Sequence, residues 1–155
     1  MKQAFTLIET VVAVGIFALL SVVGSVLLFG ILRGSKKSAA VSVVRAEGAN
    51  ILNNMTGMLR FAQEISICSG NTITFKPQAG NDITYTINGN SIASNSAAIS
   101  SNQVIVTNLV FVCTPVVPKT KIININFLLK RDPTTSVFDQ AEIPFQTQVI
   151  LRNRD

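Results

Sequence analysis

Residues 10–32 read TVVAVGIFALLSVVGSVLLFGIL and contain no charged side chain. An α-helix needs about 20 mostly apolar residues to cross the hydrocarbon core of a bilayer, so this run is long enough for one crossing. A core helix of a small soluble domain normally keeps one polar face, which this run lacks. The run therefore predicts a transmembrane helix close to the start of the chain.

A single carboxylate, Glu9, stands directly before the apolar run. An ionised side chain is costly beside hydrocarbon, so a carboxylate in this position is a functional-site hypothesis by default. The plainer interpretation is a glutamate in the first turn of a helix, where the macrodipole favours negative charge. Both interpretations place Glu9 at the entrance of the predicted helix.

A secretory signal peptide is an alternative interpretation of the same segment. Such a peptide has an apolar stretch of about 7–15 residues followed by a small-residue cleavage site, which Gly24-Ser25 could supply. Two features oppose it: the apolar run continues to Leu32, and Glu9 lies where these peptides are normally uncharged.

The charges that flank the run leave its orientation open. Lys2 precedes the run, whereas Arg33, Lys36 and Lys37 follow it. Positive charge is usually retained on the cytoplasmic side, so this distribution is ambiguous or adverse for an external C-terminal domain.

The segment before the run carries a resemblance to a known family. Residues 4–9 read Ala-Phe-Thr-Leu-Ile-Glu, and with the apolar run they resemble the prepilin cleavage and methylation motif of type IV pilins and type II secretion pseudopilins. The resemblance implies that prepilin peptidase cuts between Ala4 and Phe5 and methylates the new amino terminus of Phe5. It also implies that Glu9 is an assembly charge, pairing with the terminal amine of a neighbouring subunit. Position 4 is alanine where the family usually has glycine, and the leader has one basic side chain, Lys2.

Beyond the run, apolar residues recur at three- and four-residue steps and predict a continued amphipathic helix. Residues 33–67 form this second half, with an apolar stripe at Val41, Val44, Gly48, Ile51, Leu52, Met55, Met58, Leu59, Ala62 and Ile65. From about residue 68 the pattern alternates in steps of two, as β-strands do. Strands are predicted at 71–76, 82–87, 90–93, 103–107, 109–113, 121–129 and 142–151, with a polar loop at 94–102. The sequence therefore predicts an α+β fold in four parts: a leader (1–4), a membrane and assembly half of the helix (5–32), its amphipathic half (33–67) and an antiparallel β-sheet domain (68–155). The family resemblance implies the same pilin-like arrangement.

The composition argues against several kinds of chemistry. The chain has 155 residues and no histidine, which removes the commonest general base and the commonest metal ligand. The carboxylates show no calcium-loop spacing, and no Gly-rich phosphate loop is present. We expect no enzymatic activity, no cofactor and no metal.

Two cysteines, Cys68 and Cys113, lie far apart in the sequence. A disulfide between them is plausible if the domain is outside the cytoplasm, and two buried free thiols are the alternative. The spacing does not distinguish the two.

The sequence predicts a structural subunit, a minor pilin or pseudopilin of a type IV pilus-like or type II secretion fibre. Its partners would be other pilin or pseudopilin subunits, prepilin peptidase and the cytoplasmic membrane, where the precursor is a single-pass protein with its globular domain outside. The fibre would be extracellular or periplasmic. One alternative is a surface- or DNA-binding tip subunit. DNA binding is suggested by the basic group Lys119, Lys121, Lys130 and Arg131. Another is an unrelated secreted or single-span domain.

Overall fold

The computed structural model describes residues 6–116, 120–132 and 140–151. Ala4 and Phe5, the predicted processing site, lie outside the described residues. The chain divides into two compact units, Met1–Lys36 and Lys37–Asp155. Within the described ranges there are one helix and eight strands: α1 (Leu7–Arg60), β1 (Ala62–Ser69), β2 (Thr72–Pro77), β3 (Ile83–Asn88), β4 (Ser91–Ser94), β5 (Ala97–Ala98), β6 (Val104–Val116), β7 (Thr120–Arg131) and β8 (Glu142–Ile150).

The strands form two antiparallel sheets, so the predicted α+β fold is confirmed. The first sheet has the order β1-β2-β3-β4-β5 and the second the order β6-β7-β8, where the sequence predicted a single sheet. Every strand pairs with its neighbour in the chain, apart from β5 and β6, which belong to different sheets. Short hairpin loops make this possible: Gly70 and Gly89 take the positive φ that a tight turn needs, at +53° and +59°.

The C-terminal part of α1 covers the core of the second unit. Its buried face is Ala40, Val44, Gly48, Ile51, Met55 and Leu59. The backbone of Gly48 lies so close to the Phe145 ring of β8 that a Cβ there would overlap it. The Tyr85 hydroxyl of β3 donates a hydrogen bond to Asn54 Oδ1 at 3.0 Å. The helix therefore packs on both sheets.

The two sheets meet where β6 crosses one end of the five-stranded sheet. The Phe111 backbone N–H donates to the Gly70 carbonyl at 2.7 Å, and the Val106 N–H donates to the Asn90 carbonyl at 2.8 Å. Gly70 belongs to the β1–β2 turn and Asn90 to the β3–β4 turn, so β6 runs across both turns. The Cys68–Cys113 disulfide joins β1 to β6 at the same junction.

The helix ends earlier than the sequence predicts, at Arg60 rather than at about Ile67. Ala62–Ser69 is a strand that pairs with β2, from Ala62 opposite Pro77 to Ser69 opposite Thr72. Ala62 is buried in either conformation, which is why the helical spacing extends over it. Pairing with β2 outweighs the local helical pattern, because it satisfies the backbone of both strands.

Two strand predictions are also corrected. The predicted loop 94–102 contains the end of β4 and the short strand β5, joined by a turn in which Asn95 and Ser96 have φ of 47° and 74°. The two strands predicted at 103–107 and 109–113 are one strand, β6, whose register shifts between Val106 and Asn108. This irregularity keeps both Val106 and Leu109 buried, which strict alternation would not allow.

Candidate functional site

The start of α1 holds the predicted assembly charge. The Thr6 carbonyl accepts the Glu9 N–H at 3.1 Å and the Thr10 N–H at 3.3 Å. Glu9 therefore lies in the first turn, where the partial positive charge of the helix end favours a carboxylate. The Glu9 side chain is exposed, and no described residue donates a hydrogen bond to it. The local geometry leaves the carboxylate open to a group from outside the described part of the chain.

The apolar run presents an uncovered surface around the whole helix. Every residue from Thr6 to Ala39 is exposed, including Phe17 at 73% and Leu19 at 70%. The helix is long and apolar enough to cross a membrane, by length and composition, and it lies near the N-terminus. A monomer in water would expose all of this area, and such a surface is compatible with a single membrane span.

The hydroxyl groups in this run are satisfied by the helix itself. Ser21 Oγ donates to the Phe17 carbonyl and Ser25 Oγ donates to the Ser21 carbonyl, each at 2.8 Å. Thr10 Oγ1 donates to the Leu7 carbonyl, also at 2.8 Å. A polar group without a partner is costly in hydrocarbon, and these three groups carry no such cost. Among the described helical residues up to Leu32, Glu9 is thus the polar side chain without a hydrogen bond inside the helix.

The structure bonds Cys68 to Cys113, with the two Cα atoms 6.3 Å apart. The closed loop spans a sequence separation of 45 and contains β2 to β5, so the bridge fastens the five-stranded sheet to β6. Disulfides of this kind belong to oxidising compartments.

The basic residues that suggested DNA binding are not gathered into one patch by the described structure. Lys121 and Lys130 lie near opposite ends of β7, about 30 Å apart at about 3.4 Å per residue. Arg131 follows Lys130 on the same strand, and Lys119 lies outside the described residues.

The described residues contain no group of three or more Cys, Asp or Glu side chains placed to hold a metal ion. The buried phenol of Tyr85 packs on the Phe75 ring, with the centroids 5.6 Å apart. Burial raises the pKa of Tyr85 to about 12, because the phenolate would lose its hydration. Tyr85 therefore joins the sheet to α1 as a neutral hydrogen-bond donor.

The solvent-facing side of the three-stranded sheet was not among the sites predicted from the sequence. The signal is present as the Ile/Asn alternation at residues 123–126. Asn124 and Asn126 lie on the side away from the core.

Comparison of the chain with protein-family models, with characterised proteins and with solved structures finds no match.

Proposed function

We propose that this chain is a non-enzymatic structural subunit, a minor pilin or pseudopilin, of a type IV pilus-like or type II secretion fibre. The observation that carries the proposal is the two-part character of α1. The helix is exposed and apolar up to Leu32, directly after the Ala4–Glu9 motif, and from Ala40 onward it has one face buried against antiparallel sheets. A subunit held in a membrane and then in a fibre by helix packing needs both properties in one helix.

In the proposed mechanism, prepilin peptidase removes residues 1–4 and methylates the amine of Phe5. The new amine of one subunit then pairs with the Glu9 carboxylate of its neighbour as their apolar helices pack together. A carboxylate in a water-poor environment must find a partner or become protonated, so the pair is favoured over any arrangement that leaves Glu9 alone. The exposed position of Glu9 supports this role.

We place the Lys37–Asp155 unit outside the cytoplasm, as the precursor crosses the membrane once. The Cys68–Cys113 disulfide supports this orientation, because structural disulfides are rare in a reducing cytoplasm. The basic residues Arg33, Lys36 and Lys37 after the run do not favour it, so the orientation rests on the disulfide.

The N-terminus of the mature protein tests the processing step. The full chain is expressed with and without a prepilin peptidase, and its terminal peptide is identified by mass spectrometry. We expect an N-methylated Phe5 terminus only when the peptidase is present. A mature chain that starts at Ser25 would support ordinary secretion, and an intact Met1 in the presence of the peptidase would support a simple anchor; either result overturns the proposal.

Substitution of Glu9 tests the assembly step separately. Glu9→Gln keeps the shape of the side chain and removes its charge, and Thr10→Ala is the matched control at the neighbouring position. Removing one partner of a buried ion pair typically costs about 3–5 kcal/mol, so Glu9→Gln should lower incorporation into fibres by more than about a hundredfold. Membrane insertion and cleavage should be unchanged in both variants. Wild-type incorporation of Glu9→Gln would remove the pairing role while leaving the processing step intact.

A further inference from the structure

The three-stranded sheet has one side that nothing in the described structure covers. We call it the outer amide face. On β7 and β8 the odd-numbered residues face the core, and the even-numbered residues are half-buried or exposed on the other side. The outer amide face consists of Ile105, Asn108, Val110, Val112, Thr114, Ile122, Asn124, Asn126, Leu128, Lys130, Glu142, Pro144, Gln146, Gln148 and Ile150.

This face is almost without net charge on a strongly basic protein. Its described residues carry one positive side chain, Lys130, and one negative side chain, Glu142, which are direct cross-strand neighbours and offset each other. The whole chain has a net charge of +5. Two copies of such a chain repel each other over most of their surface, and they meet at the lowest electrostatic cost through a neutral face.

The polar groups on this face are complementary to themselves. The centre is occupied by amides, with Gln148 Nε2 donating to Asn124 Oδ1 at 3.1 Å and with Asn126 opposite Gln146. An amide side chain both donates and accepts hydrogen bonds, so a surface of amides can bond to its own copy. A surface of lysines or glutamates cannot. This property matches a twofold interface, in which the same patch serves both partners.

Apolar residues lie around the amides and remain accessible. Ile150 is 55% exposed and lies opposite Ile122, and Val112 is 47% exposed and lies opposite Asn124, in the next row across the sheet. With the half-buried Val110, Ile122 and Leu128, they give this face an aliphatic part that a second sheet would cover.

The free edge of the same sheet is blocked. Strand β8 lies at the edge, where another chain could add a strand, but Pro144, its third residue, lacks an N–H. The exposed Glu142 adds a charge on the same edge strand. Association through the face is therefore favoured over association through the edge.

The size of the face predicts a weak contact. Three strands at about 4.8 Å spacing and nine residues at about 3.4 Å give a footprint of about 440 Å² on each copy. Both copies together then bury about 900 Å², which is in the range of transient complexes and below that of permanent dimers.

We propose that the outer amide face is an interface between two copies of this chain. The two sheets pack face to face about 10 Å apart, with Asn126 near the twofold axis. The contact uses the Lys37–Asp155 unit alone and does not depend on the proposed fibre function.

Single-cysteine cross-linking tests the geometry directly. Both native cysteines are held in the disulfide, so one introduced cysteine is the only free thiol. The full chain in mild detergent carries either Asn126→Cys at the centre of the face or, as a matched control, the half-buried Ser91→Cys on the other sheet. At about 0.1–1 mM protein, where weak contacts are populated, mild oxidation should dimerise Asn126→Cys at least about tenfold faster than Ser91→Cys. Equal rates would overturn the proposal, because micelle encounters alone would then explain the cross-link.

Charge substitution tests the self-complementarity without any thiol. Asn126→Lys should weaken self-association by at least about tenfold in sedimentation experiments, and Ser91→Lys should not. An equal mixture of Asn126→Lys and Asn126→Asp chains should regain association, because the two copies then carry opposite charges at the axis. The emission of Tyr85, the only tyrosine, confirms that each variant is folded. If the mixture associates no better than Asn126→Lys alone, or if Ser91→Lys is equally disruptive, the interface lies elsewhere.

Discussion

Gly48 lies in the buried face of α1, where the helix comes closest to the three-stranded sheet. Alanine in place of glycine inside a helix normally stabilises a protein by about 1 kcal/mol, because glycine has the larger backbone entropy when unfolded. At Gly48 the added Cβ would overlap the end of the Phe145 ring. That ring stacks on Phe127, with centroids 5.2 Å apart and an interplanar angle of 15°, so it cannot swing aside without disturbing a second ring. Overpacking of this kind costs about 1–3 kcal/mol beyond the gain in propensity, so we expect Gly48→Ala to lower the free energy of unfolding.

The same helix supplies the matched control for this prediction. Gly57 is exposed on α1, and a Cβ there would meet nothing within 4 Å. Gly57→Ala should therefore raise the free energy of unfolding by about 1 kcal/mol, which is the opposite sign. Urea unfolding of the full chain in detergent, followed by the emission of the buried Tyr85, measures both variants. A double-mutant cycle with Phe145→Leu should recover much of the loss at Gly48. If Gly48→Ala stabilises the protein as much as Gly57→Ala does, the described contact between α1 and β8 is wrong.

Three further predictions concern the five-stranded sheet and its fastening. Replacing Cys68 and Cys113 together with alanine should lower the free energy of unfolding by about 4 kcal/mol, the chain-entropy value for a sequence separation of 45, as measured in urea. The stability that the buried Tyr85 contributes should be fully present below pH 10 and should be lost as the pH rises towards 12, because the folded state retains the proton of Tyr85. Tyr85→Phe should abolish this alkaline loss in pH-dependent unfolding. Ser96→Gly should stabilise the protein by about 0.5–1 kcal/mol in thermal or urea unfolding, because the positive φ of Ser96, 74°, is strained for a residue with a Cβ. Asn95→Ala in the same turn should destabilise the protein, because it removes the Oδ1 that accepts the Thr84 N–H.

The parts of the fold that depend on local pattern could be predicted from the sequence. The run at residues 10–32 and the stripe Val44, Gly48, Ile51 and Met55 follow helical spacing, and the strong alternation of β7 follows strand spacing. The early end of α1 could not be predicted from spacing alone, because Ala62 suits both a helical stripe and a buried strand position. The end of α1 is determined by the pairing of β1 with β2 across the Gly70-Asn71 turn. The sequence shows this pairing only as a β-type run directly before Gly-Asn, and the predicted helix extended over that run.

The features that depend on tertiary geometry were not accessible from the sequence. The spacing of Cys68 and Cys113 says nothing about the crossing of β6 over the β1–β2 turn, which is what brings their Cα atoms to 6.3 Å. The division into two sheets is likewise a tertiary feature, since β5 pairs with β4 and β6 pairs with β7. The motif at residues 4–9, by contrast, is interpreted from the sequence alone, because Ala4 and Phe5 lie outside the described residues.

In the proposed fibre, the apolar helix would supply the affinity between subunits and the single carboxylate would fix their register. Apolar packing is strong but non-directional, so two exposed helices such as residues 10–32 could slide past each other by a turn at little cost. The hydroxyls of Ser21 and Ser25 contribute less to fixing the position, because they already donate their protons within their own helix. A displaced register would leave the Glu9 carboxylate without its amine in a water-poor environment, at a cost of several kcal/mol. The cost of displacement, more than the strength of the pair itself, is therefore what would select one register.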